Sequence, residues 1–479
     1  MSDIRDDLDE LGRRLWPRSE ALRSGRTQKG TSLPHRRASE PLAALTAAVV
    51  LIALLGTAIL LGRTQSPKIA KLAPPRPAAP VTSATAAQLA AGHWSVLPAP
   101  PIATRDQASV VWTGSELLVW GGVSYGGGNG TPRADGAAYN PGTGRWRMLA
   151  PAPLSARYGE ATVWDGTEMI VWGGHALSSS TYAGVNDGAA YNPATDRWRK
   201  LPASPMAPPM QLVAIWTGSE MILLADGPTS SISQFGGPFE GAAYDPSTDS
   251  WTAVTPPIPP TGHSFMWVSA VQAGAALLAW SDWATTLPIS CGPGLALNCI
   301  STDSGTDLFR YDEQTAQWHI LAAANIGRYA ASGVLWTGRL AILRGPVWCG
   351  GCLGPDRPDE TSQYDPARNS WTILPPDPLA WAHPVSAWTG EALFSFNAMR
   401  QGSFPPLNGG SLATLNTGDA SAYDPASGWV RLPSAPFGCD HNPSPVWTGR
   451  QILMYCPGTA TGAAASNGGL AFTVGSSPR

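Results

Sequence analysis

The stretch AAYNPGTGRW, from Ala137 to Trp146, returns 52 residues later as AAYNPATDRW, from Ala189 to Trp198. Each copy places aromatic residues on both sides of an Asn-Pro dipeptide. Asn before Pro favours a turn, because the Asn side chain bonds to nearby backbone and Pro presets φ. We therefore interpret each copy as two short strands joined by a tight turn, and the repetition as one structural unit used more than once.

Looser copies of this pattern continue along the chain. Six tyrosines are followed by Asn or Asp, and a tryptophan comes six or seven residues after each of them. The pairs are Tyr139–Trp146, Tyr191–Trp198, Tyr244–Trp251, Tyr311–Trp318, Tyr364–Trp371 and Tyr423–Trp429. These copies indicate that the hairpin recurs through most of the chain.

A second motif alternates with the first. VWTGSELLVWGG (Val111–Gly122) returns as VWDGTEMIVWGG (Val163–Gly174), and weaker copies bring the number to seven. Each reads as two apolar strands around a turn in which Gly supplies an unusual φ. One unit therefore has four strands: A ends in Trp-Thr-Gly, B follows, C ends in Tyr-Asn-Pro, and D carries the second tryptophan.

The repeat period and the chain ends together predict an all-β, seven-bladed β-propeller. Four strands in a period of about 52 residues are typical of a propeller blade. The seventh unit has strands A and B (443–456) and a C strand (468–475) but no D strand. The missing strand is GHWSVLPAP, which contains Trp94. We therefore expect Trp94 to pair beside the final strand near Phe472, which closes the ring and removes exposed sheet edges.

These motifs resemble the kelch-repeat family, which includes the propeller domain of galactose oxidase. The resemblance is carried by the double glycines Gly121–Gly122 and Gly173–Gly174 and by the Tyr and Trp of the first two units. It covers about 92–475 and weakens in later units. It implies kelch-like blades with strand A innermost; it implies little about activity, because one fold supports many functions.

Composition excludes one class of partner. Glycine (52), proline (46) and tryptophan (21) are abundant and charged residues are only 14% of the chain, as expected for many short strands. Residues 92–479 carry 18 Lys and Arg against 27 Asp and Glu, a net charge of −9, with Lys200 as the single lysine. Such a body repels a phosphate backbone, so no nucleic-acid partner is expected.

The N-terminal region predicts a membrane anchor. Residues 42–62 (LAALTAAVVLIALLGTAILLG) contain no charge, and about 20 apolar residues span a bilayer as a helix. A cleaved signal peptide has a shorter apolar region, so we favour a retained single-pass helix. More Lys and Arg precede it than follow it, which favours an N-terminus inside the cell. Together with the kelch resemblance, this suggests a membrane-anchored bacterial type.

The anchor divides the chain into four parts. Residues 63–91 are rich in Pro and Ala and predict an extended spacer between the membrane and the propeller at 92–475. Residues 1–41 form an inside tail, in which Ile4, Leu8, Leu11 and Leu15 have helical spacing before Pro17. That short helix is either a solvated segment or a docking site for an inside partner. A tail, an anchor and an outer sensor domain also resemble bacterial transmembrane anti-sigma regulators.

The predicted blades place the candidate ligand site on one face. The long connections between strands B and C lie at 123–135, 175–187, 227–240, 281–305, 345–360, 397–418 and 457–467. Long loops on a rigid scaffold are where binding sites concentrate. The polar residues predicted at the rim of this face, and therefore the candidate ligand-binding residues, are Arg105, Arg157, Asp226, His263, Asp282, Arg328, His383, Asp440 and His441.

Two other interpretations of this rim stay open. Its residues could instead form a solvated channel mouth tied together by Arg–Asp pairs. His263, His383 and His441 could approach a transition metal, but blades 4 and 6 are not adjacent, so no metal is expected. The copper chemistry of galactose oxidase implies two tyrosines, two histidines and a tyrosine–cysteine crosslink, and no local motif here matches that set. We therefore predict no cofactor.

All six cysteines lie in 92–479, which suits an oxidising compartment. Cys439 and Cys456 flank the A–B hairpin of blade 7 almost symmetrically and should face each other across it. The other predicted disulfides are Cys291–Cys299 and Cys349–Cys352, each within one B–C loop.

The sequence therefore favours a monomeric propeller at the cell membrane, on the extracytoplasmic side, that binds a protein or a glycan. A sugar-acting or oxidoreductase propeller enzyme using the long-loop rim is the second hypothesis, and it is less favoured. The third is the sensor domain of a transmembrane signalling protein, with 1–41 as its output. The identity of the ligand is left open.

Overall fold

The fold was examined in a computed structural model. The structure describes residues 82–124, 130–178, 181–209, 212–226, 239–258, 260, 264–274, 276–284, 304–312, 315, 317–321, 333–345, 360–379, 384–396, 418–439, 443–456 and 468–476. One helix lies at the start of this region, α1 (Ala86–Ala90).

Short strands make up the rest of the regular structure. In chain order, the first half contains β1 (His93–Val96), β2 (Ser109–Trp112), β3 (Leu117–Trp120), β4 (Val123–Ser124), β5 (Thr131–Pro132), β6 (Gly136–Asn140), β7 (Arg145–Met148), β8 (Ala161–Trp164), β9 (Met169–Trp172), β10 (His175–Ser178), β11 (Thr181–Gly184), β12 (Gly188–Asn192), β13 (Arg197–Lys200), β14 (Leu212–Trp216), β15 (Met221–Asp226), β16 (Phe239–Asp245) and β17 (Ser250–Ala253). The second half contains β18 (Ser264–Ala273), β19 (Ala276–Ala284), β20 (Ser304–Asp312), β21 (Gln317–Ile320), β22 (Gly333–Trp336), β23 (Ala341–Gly345), β24 (Glu360–Asp365), β25 (Ser370–Ile373), β26 (Val385–Trp388), β27 (Leu393–Phe396), β28 (Ala420–Asp424), β29 (Gly428–Arg431), β30 (Val446–Trp447), β31 (Gln451–Met454) and β32 (Leu470–Thr473).

Seven four-stranded antiparallel sheets form among the described residues, and they confirm the seven-bladed propeller. Blades 1 and 2 have the orders β2-β3-β6-β7 and β8-β9-β12-β13, and blades 3 to 6 are β14-β15-β16-β17, β18-β19-β20-β21, β22-β23-β24-β25 and β26-β27-β28-β29. Blade 7 has the order β30-β31-β32-β1. The first strands of neighbouring blades contact one another, so strand A of each blade lies innermost, around the axis.

The N-terminal strand closes the ring as predicted. In blade 7, β1 pairs antiparallel with β32, and Trp94 lies opposite Phe472. The two rings meet edge to face with centroids 4.9 Å apart, and the indole Nε1 donates to the carbonyl of Pro433 at 2.7 Å. The first and last strands of the propeller are thus joined by backbone pairing and aromatic packing, and the indole hydrogen bond ties the first strand to the end of blade 6.

The repeated hairpins have the geometry that the sequence motifs predict. In the C–D turn of blade 1, Oδ1 of Asn140 accepts the backbone N–H groups of Gly142 and Thr143 at 2.9 and 3.1 Å. The rings of Tyr139 and Trp146 then pack across the hairpin with centroids 5.1 Å apart. In the A–B turn, Gly114 has a φ of 95°, a conformation that side chains strongly disfavour.

Neighbouring blades are joined by the tryptophan of strand D. Its indole N–H reaches back to a backbone carbonyl that follows strand D of the preceding blade. Six such bonds are described: Trp94 to Pro433, Trp146 to Pro98, Trp198 to Ala150, Trp251 to Pro202, Trp318 to Thr255 and Trp429 to Pro375. The Trp that defines the sequence repeat therefore stabilises both its own hairpin and the contact between blades.

The end of the stretch interpreted as a spacer is packed on the propeller. Thr85 caps α1 by accepting the N–H of Gln88 at 3.2 Å, while Gln88 accepts the N–H of Thr85 at 2.9 Å, a capping box that a Pro/Ala count does not reveal. Ala86 and Leu89 are buried in the apolar cluster between blades 6 and 7. Just before the helix, Ala84 forms a parallel bridge with Gly390.

The predicted anchor at 42–62, the tail at 1–41 and the first part of the spacer lie outside the described residues. In the part of the chain that the structure describes, no helix has both the length and the apolar character needed to cross a membrane.

The Cys439–Cys456 disulfide is present, as predicted, with both cysteines buried and their Cα atoms 5.2 Å apart. The pairs Cys291–Cys299 and Cys349–Cys352 lie outside the described residues.

Removing the Cys439–Cys456 disulfide should lower the stability of the propeller. Its two ends are 17 residues apart, and a crosslink of this size restricts the unfolded chain by about 3 kcal/mol. We expect Cys439→Ser/Cys456→Ser to unfold at a correspondingly lower denaturant concentration than the oxidised wild type. Reduction of the wild type should reproduce the loss, and equal unfolding midpoints with and without reductant would contradict it.

Candidate functional site

The antiparallel blades give the propeller two different faces. The A–B and C–D turns lie at one end of the strands, and we call this end the turn face. The B–C and D–A connections lie at the other end, the loop face, because consecutive antiparallel strands must join at alternating ends. Some B–C connections are long, for example from Phe396 in β27 to Ala420 in β28.

The loop face of blades 1 and 2 carries two small additional sheets. The B–C connections there begin and end as two-stranded ribbons, β4 with β5 and β10 with β11. An isolated bridge joins Arg133, which follows the first ribbon, to Arg157, which precedes blade 2, and another joins Tyr158 to His175. A cleft of about 380 Å³ lies beside the first ribbon, between Pro132, Met148 and Pro151.

Arg105, predicted at the rim, is buried beneath it. Its Nη1 donates to the carbonyl oxygens of Gly121 and Asp135 at 3.1 and 2.9 Å, and its Nε donates to the carbonyl of Ala103 at 2.9 Å. Nη1 also donates to Oδ1 of Asp135 at 2.9 Å, and Nη2 donates to Oδ2 at 3.1 Å. The guanidinium therefore ties the end of strand B to the start of strand C in its own blade.

Arg157 repeats this arrangement in blade 2. It is fully buried, and Nη1 donates to the carbonyls of Gly173 and Asp187, each at 3.2 Å, and contacts the Asp187 carboxylate at 2.8 Å. Nε donates to the carbonyl of Ser155 at 3.0 Å. In both blades the guanidinium is buried, pairs with an aspartate, and donates to carbonyl groups of its own blade.

Asp135 and Asp187 were not predicted as partners of these arginines, although the sequence contains a signal for both pairs. Asp135 and Asp187 each follow their arginine by 30 residues and stand directly before the Gly that starts strand C. Burial raises the pKa of Asp135, but the hydrogen bond and charge of Arg105 outweigh burial and leave that pKa below the usual value. A spacing conserved between two repeats could have revealed both pairs.

Of the other predicted rim residues, the structure describes only the backbones of two. The backbones of Asp226 and Asp282 are described: Asp226 ends β15 opposite Phe239, and Asp282 lies in β19 opposite Thr306. His263, Arg328, His383, Asp440 and His441 lie outside the described residues. Within the described ranges, no three His, Cys, Asp or Glu side chains come together in an arrangement that could hold a metal ion.

A buried carboxyl group that the sequence did not single out lies at the same rim. Glu160 precedes strand A of blade 2, and its Oε1 accepts the hydroxyl of Ser109 at 2.7 Å and the N–H of Ser109 at 3.3 Å. Burial raises the pKa of Glu160 to about 7, although hydrogen bonds from Ser109 oppose the shift. The residue bridges blades 1 and 2 close to the axis.

A second buried ionic group joins blades 5 and 6. Nη2 of Arg344, in β23, contacts Oδ2 of Asp377 at 3.1 Å, and both side chains are almost fully buried. The same Oδ2 accepts the hydroxyls of Ser395 and Ser421 at 2.9 and 2.7 Å. Asp377 lies in a D–A connection with no repeat-like signature, so only the fold reveals its role.

The comparisons with known proteins agree with this architecture. No protein-family model matches the chain. A Kelch-like protein, terF, from Aspergillus terreus is 27% identical over 182 residues, which are 36% of this chain and 39% of that protein. A Kelch domain-containing protein from Archaeoglobus fulgidus is 29% identical over 125 residues, 25% of this chain and 36% of that protein.

The chain therefore matches well under half the length of each of these curated relatives. Seven four-stranded blades, the Tyr and Trp of six hairpins and the similarity to two kelch proteins together support a kelch-repeat propeller.

Proposed function

We propose that this chain is a binding module that holds a protein partner on its loop face. The single observation that carries the proposal is the shared topology of the blades, which sends every B–C connection to one face of a rigid ring. A rigid scaffold lowers the entropy lost when several loops bind together, because the loops are already positioned. The similarity to kelch proteins supports a protein as the partner.

The described residues that lead into the propeller lie on its turn face. Residues 82–84 lie against the A–B turns of blades 6 and 7: Ala84 donates to the carbonyl of Thr389 at 3.0 Å, and the indole of Trp447 donates to the carbonyl of Thr82 at 3.2 Å. Both turns belong to the turn face. The segment that connects the propeller to the preceding residues therefore starts on the face opposite the B–C connections.

We propose further that residues 42–62 hold the monomeric propeller at the cell membrane, on its extracytoplasmic side. The uncharged apolar length of this segment supports the anchor. The Cys439–Cys456 disulfide supports an oxidising compartment. We expect the protein to sediment with membranes and to lose its propeller when protease is added outside sealed cells or spheroplasts. Full protection from that protease would contradict the proposed orientation.

Photo-crosslinking from matched positions tests the binding face. Thr131 in blade 1 and Asn186 in blade 2 are exposed on the loop face, and Ser115 and Thr167 are exposed on the turn face of the same blades. A photoreactive amino acid placed singly at each position in the full chain should capture one protein from Thr131 or Asn186 and not from the controls. The captured protein, purified, should bind the unmodified chain.

Three results would overturn the proposal. Equal capture from the turn face would remove the assignment of the face. An adduct destroyed by glycosidases and containing no polypeptide would identify a glycan as the ligand. Absence of any saturable adduct from either loop-face position, with the variants folded and present at the wild-type level, would remove the partner protein.

A further inference from the structure

The seam between blades 1 and 2 contains a carboxyl group with one shielded oxygen that has no described hydrogen bond. Glu160 lies where the end of strand B in blade 1 meets the start of strand A in blade 2, and its side chain covers Gly121. The residue is partly exposed as a whole, but its Oε2 is shielded from solvent and has no hydrogen-bond partner among the described residues. Burying a polar oxygen without a partner is unfavourable.

The next seam shows what the fold uses at this position when no carboxyl is present. Fifty-two residues after Glu160, one repeat later, stands Leu212. The side chain of Leu212 lies against Gly173 as Glu160 lies against Gly121, and Leu212 packs in the apolar cluster between blades 2 and 3. A leucine therefore satisfies the geometry of the joint, and the acid in the first seam is an exception to its own repeat. Such local exceptions concentrate at functional positions.

The polar partner of Glu160 belongs to blade 1 and is itself bonded to blade 2. In blade 1, Ser109 supplies its hydroxyl and its backbone N–H to Oε1. The hydroxyl of Ser109 also bonds to that of Thr162 in blade 2. The carboxyl group thus belongs to a short chain of hydrogen bonds that crosses the seam next to the axis.

Three other ionisable groups lie on the segments packed against Glu160. Arg157, on its own segment, has a charge that favours the ionised carboxylate, but its guanidinium is engaged by Asp187. Asp106 lies on the blade 1 segment that packs against Gly122, and His175 follows Gly174, which packs against the backbone of Glu160. Among the described carboxyl oxygens of this seam, Oε2 of Glu160 alone is shielded from solvent and has no hydrogen bond.

We propose that the blade 1–blade 2 seam is a proton-linked joint: uptake of a proton by Glu160 holds the two blades together at the loop face, and its release loosens them. Because Oε2 is shielded from solvent, a proton can reach it but a larger ligand cannot. Protonation is therefore the change that neutralises the carboxylate of Glu160. The group lies at the rim of the proposed binding face, where a looser seam would change the positions of the ribbons β4–β5 and β10–β11.

The direction of the pH dependence follows from the environment of the carboxyl. Burial raises the pKa of Glu160 to about 7 in the folded chain, against an ordinary value of 4.5. The folded state therefore binds the proton more tightly than the unfolded state. The stabilising contribution is complete below about pH 4.5 and is lost as pH rises through about 7. Between pH 5 and pH 8 this single group should raise the unfolding equilibrium constant about 70-fold.

The test compares the full-length wild type with Glu160→Gln and Glu160→Leu. Gln keeps the shape of the protonated acid without its titration, and Leu reproduces the residue that the chain uses in the next seam. Hydrogen exchange, corrected for the intrinsic effect of pH, would be measured from pH 5 to pH 8 in peptides from 105–124 and 155–178. Peptides from 206–226, around Leu212, serve as the internal control.

We expect the wild type to lose protection in the first two regions as pH rises and to keep it around Leu212. Both variants should keep protection in all regions, and their unfolding equilibrium should lack the 70-fold change. Equal pH dependence in wild type and variants, or a wild-type loss that extends equally to 206–226, would overturn the proposal. Either result would leave the crosslinking test of the partner protein unaffected.

Discussion

Asp377→Ala is expected to destabilise the propeller by about 3–5 kcal/mol, because it leaves a buried charge without its counterion. Asp377 is only 1% exposed and accepts hydrogen bonds from Arg344, Ser395 and Ser421 through one carboxylate oxygen. The Arg344 guanidinium also lies over the ring of Trp429, 5.3 Å from its centroid, and cannot move to solvent without disturbing that packing. Equilibrium unfolding in urea measures the loss.

A matched control variant separates the effect of burial on stability from the effect of ion pairing. Arg368 also pairs with an aspartate, Asp365, but its side chain is 65% exposed. Arg368→Ala should therefore change the free energy of unfolding by about 1 kcal/mol or less. Asp377→Asn, which keeps the shape and one acceptor, should fall between the two. A loss of less than about 1 kcal/mol in Asp377→Ala would contradict the role assigned to this seam.

Trp94→Ala is expected to weaken ring closure and to lower stability by about 3 kcal/mol, the low end of the loss for a fully buried aromatic, because Trp94 is only partly buried against the apolar cluster of blades 6 and 7. Its ring contacts those of Phe472, Phe396 and Phe394, at centroid distances of 4.9, 5.5 and 6.2 Å. These contacts join the first strand of the propeller to blade 6 and to the last strand of the chain. Their loss also exposes the edge of β32, which should increase aggregation during refolding.

Trp94→Phe provides the graded comparison. It keeps an aromatic ring in the same place but removes the indole N–H that donates to Pro433. A hydrogen bond of this kind contributes about 1 kcal/mol, so Trp94→Phe should retain most of the stability lost in Trp94→Ala. Circular dichroism and light scattering during refolding measure both effects. If Trp94→Ala refolds with wild-type stability and no added scattering, the N-terminal strand does not close the ring as described.

The blade architecture was predictable because its determinants are local. Tyr139, the Asn140 turn and Trp146 lie within ten residues, and blades 1 to 6 carry this pattern with the Tyr and the Trp six or seven residues apart. The last unit contains strands A, B and C but no strand D, and a matching strand precedes the first unit. The pairing of Trp94 with Phe472 therefore followed from counting strands. The Cys439–Cys456 pair was predictable for the same reason, since it flanks one hairpin.

The candidate site was less predictable because its contacts are not local. The sequence left open whether Arg105 and Arg157 bind a ligand or pair with aspartates, and it did not indicate that they are buried and pair with Asp135 and Asp187 within their own blades. Glu160 carried no pattern of its own. Its unusual environment arises from Gly121 and Ser109, which belong to a different blade.

The amino-acid sequence by itself determined the number of blades, the four-stranded unit, the turn residues and the closure by the N-terminal strand. The unit and its turns depend on contacts that recur within a single repeat, and the closure follows from the count of strands, because the last unit has three strands and a fourth precedes the first unit. Only the tertiary structure decided which polar side chains are buried and that Arg344 meets Asp377. It also placed residues 82–91 on the propeller, where Leu89 is fully buried. The contacts of Glu160 with Ser109 and of Arg344 with Asp377 bring together groups from separate blades, and no spacing along the chain records that proximity.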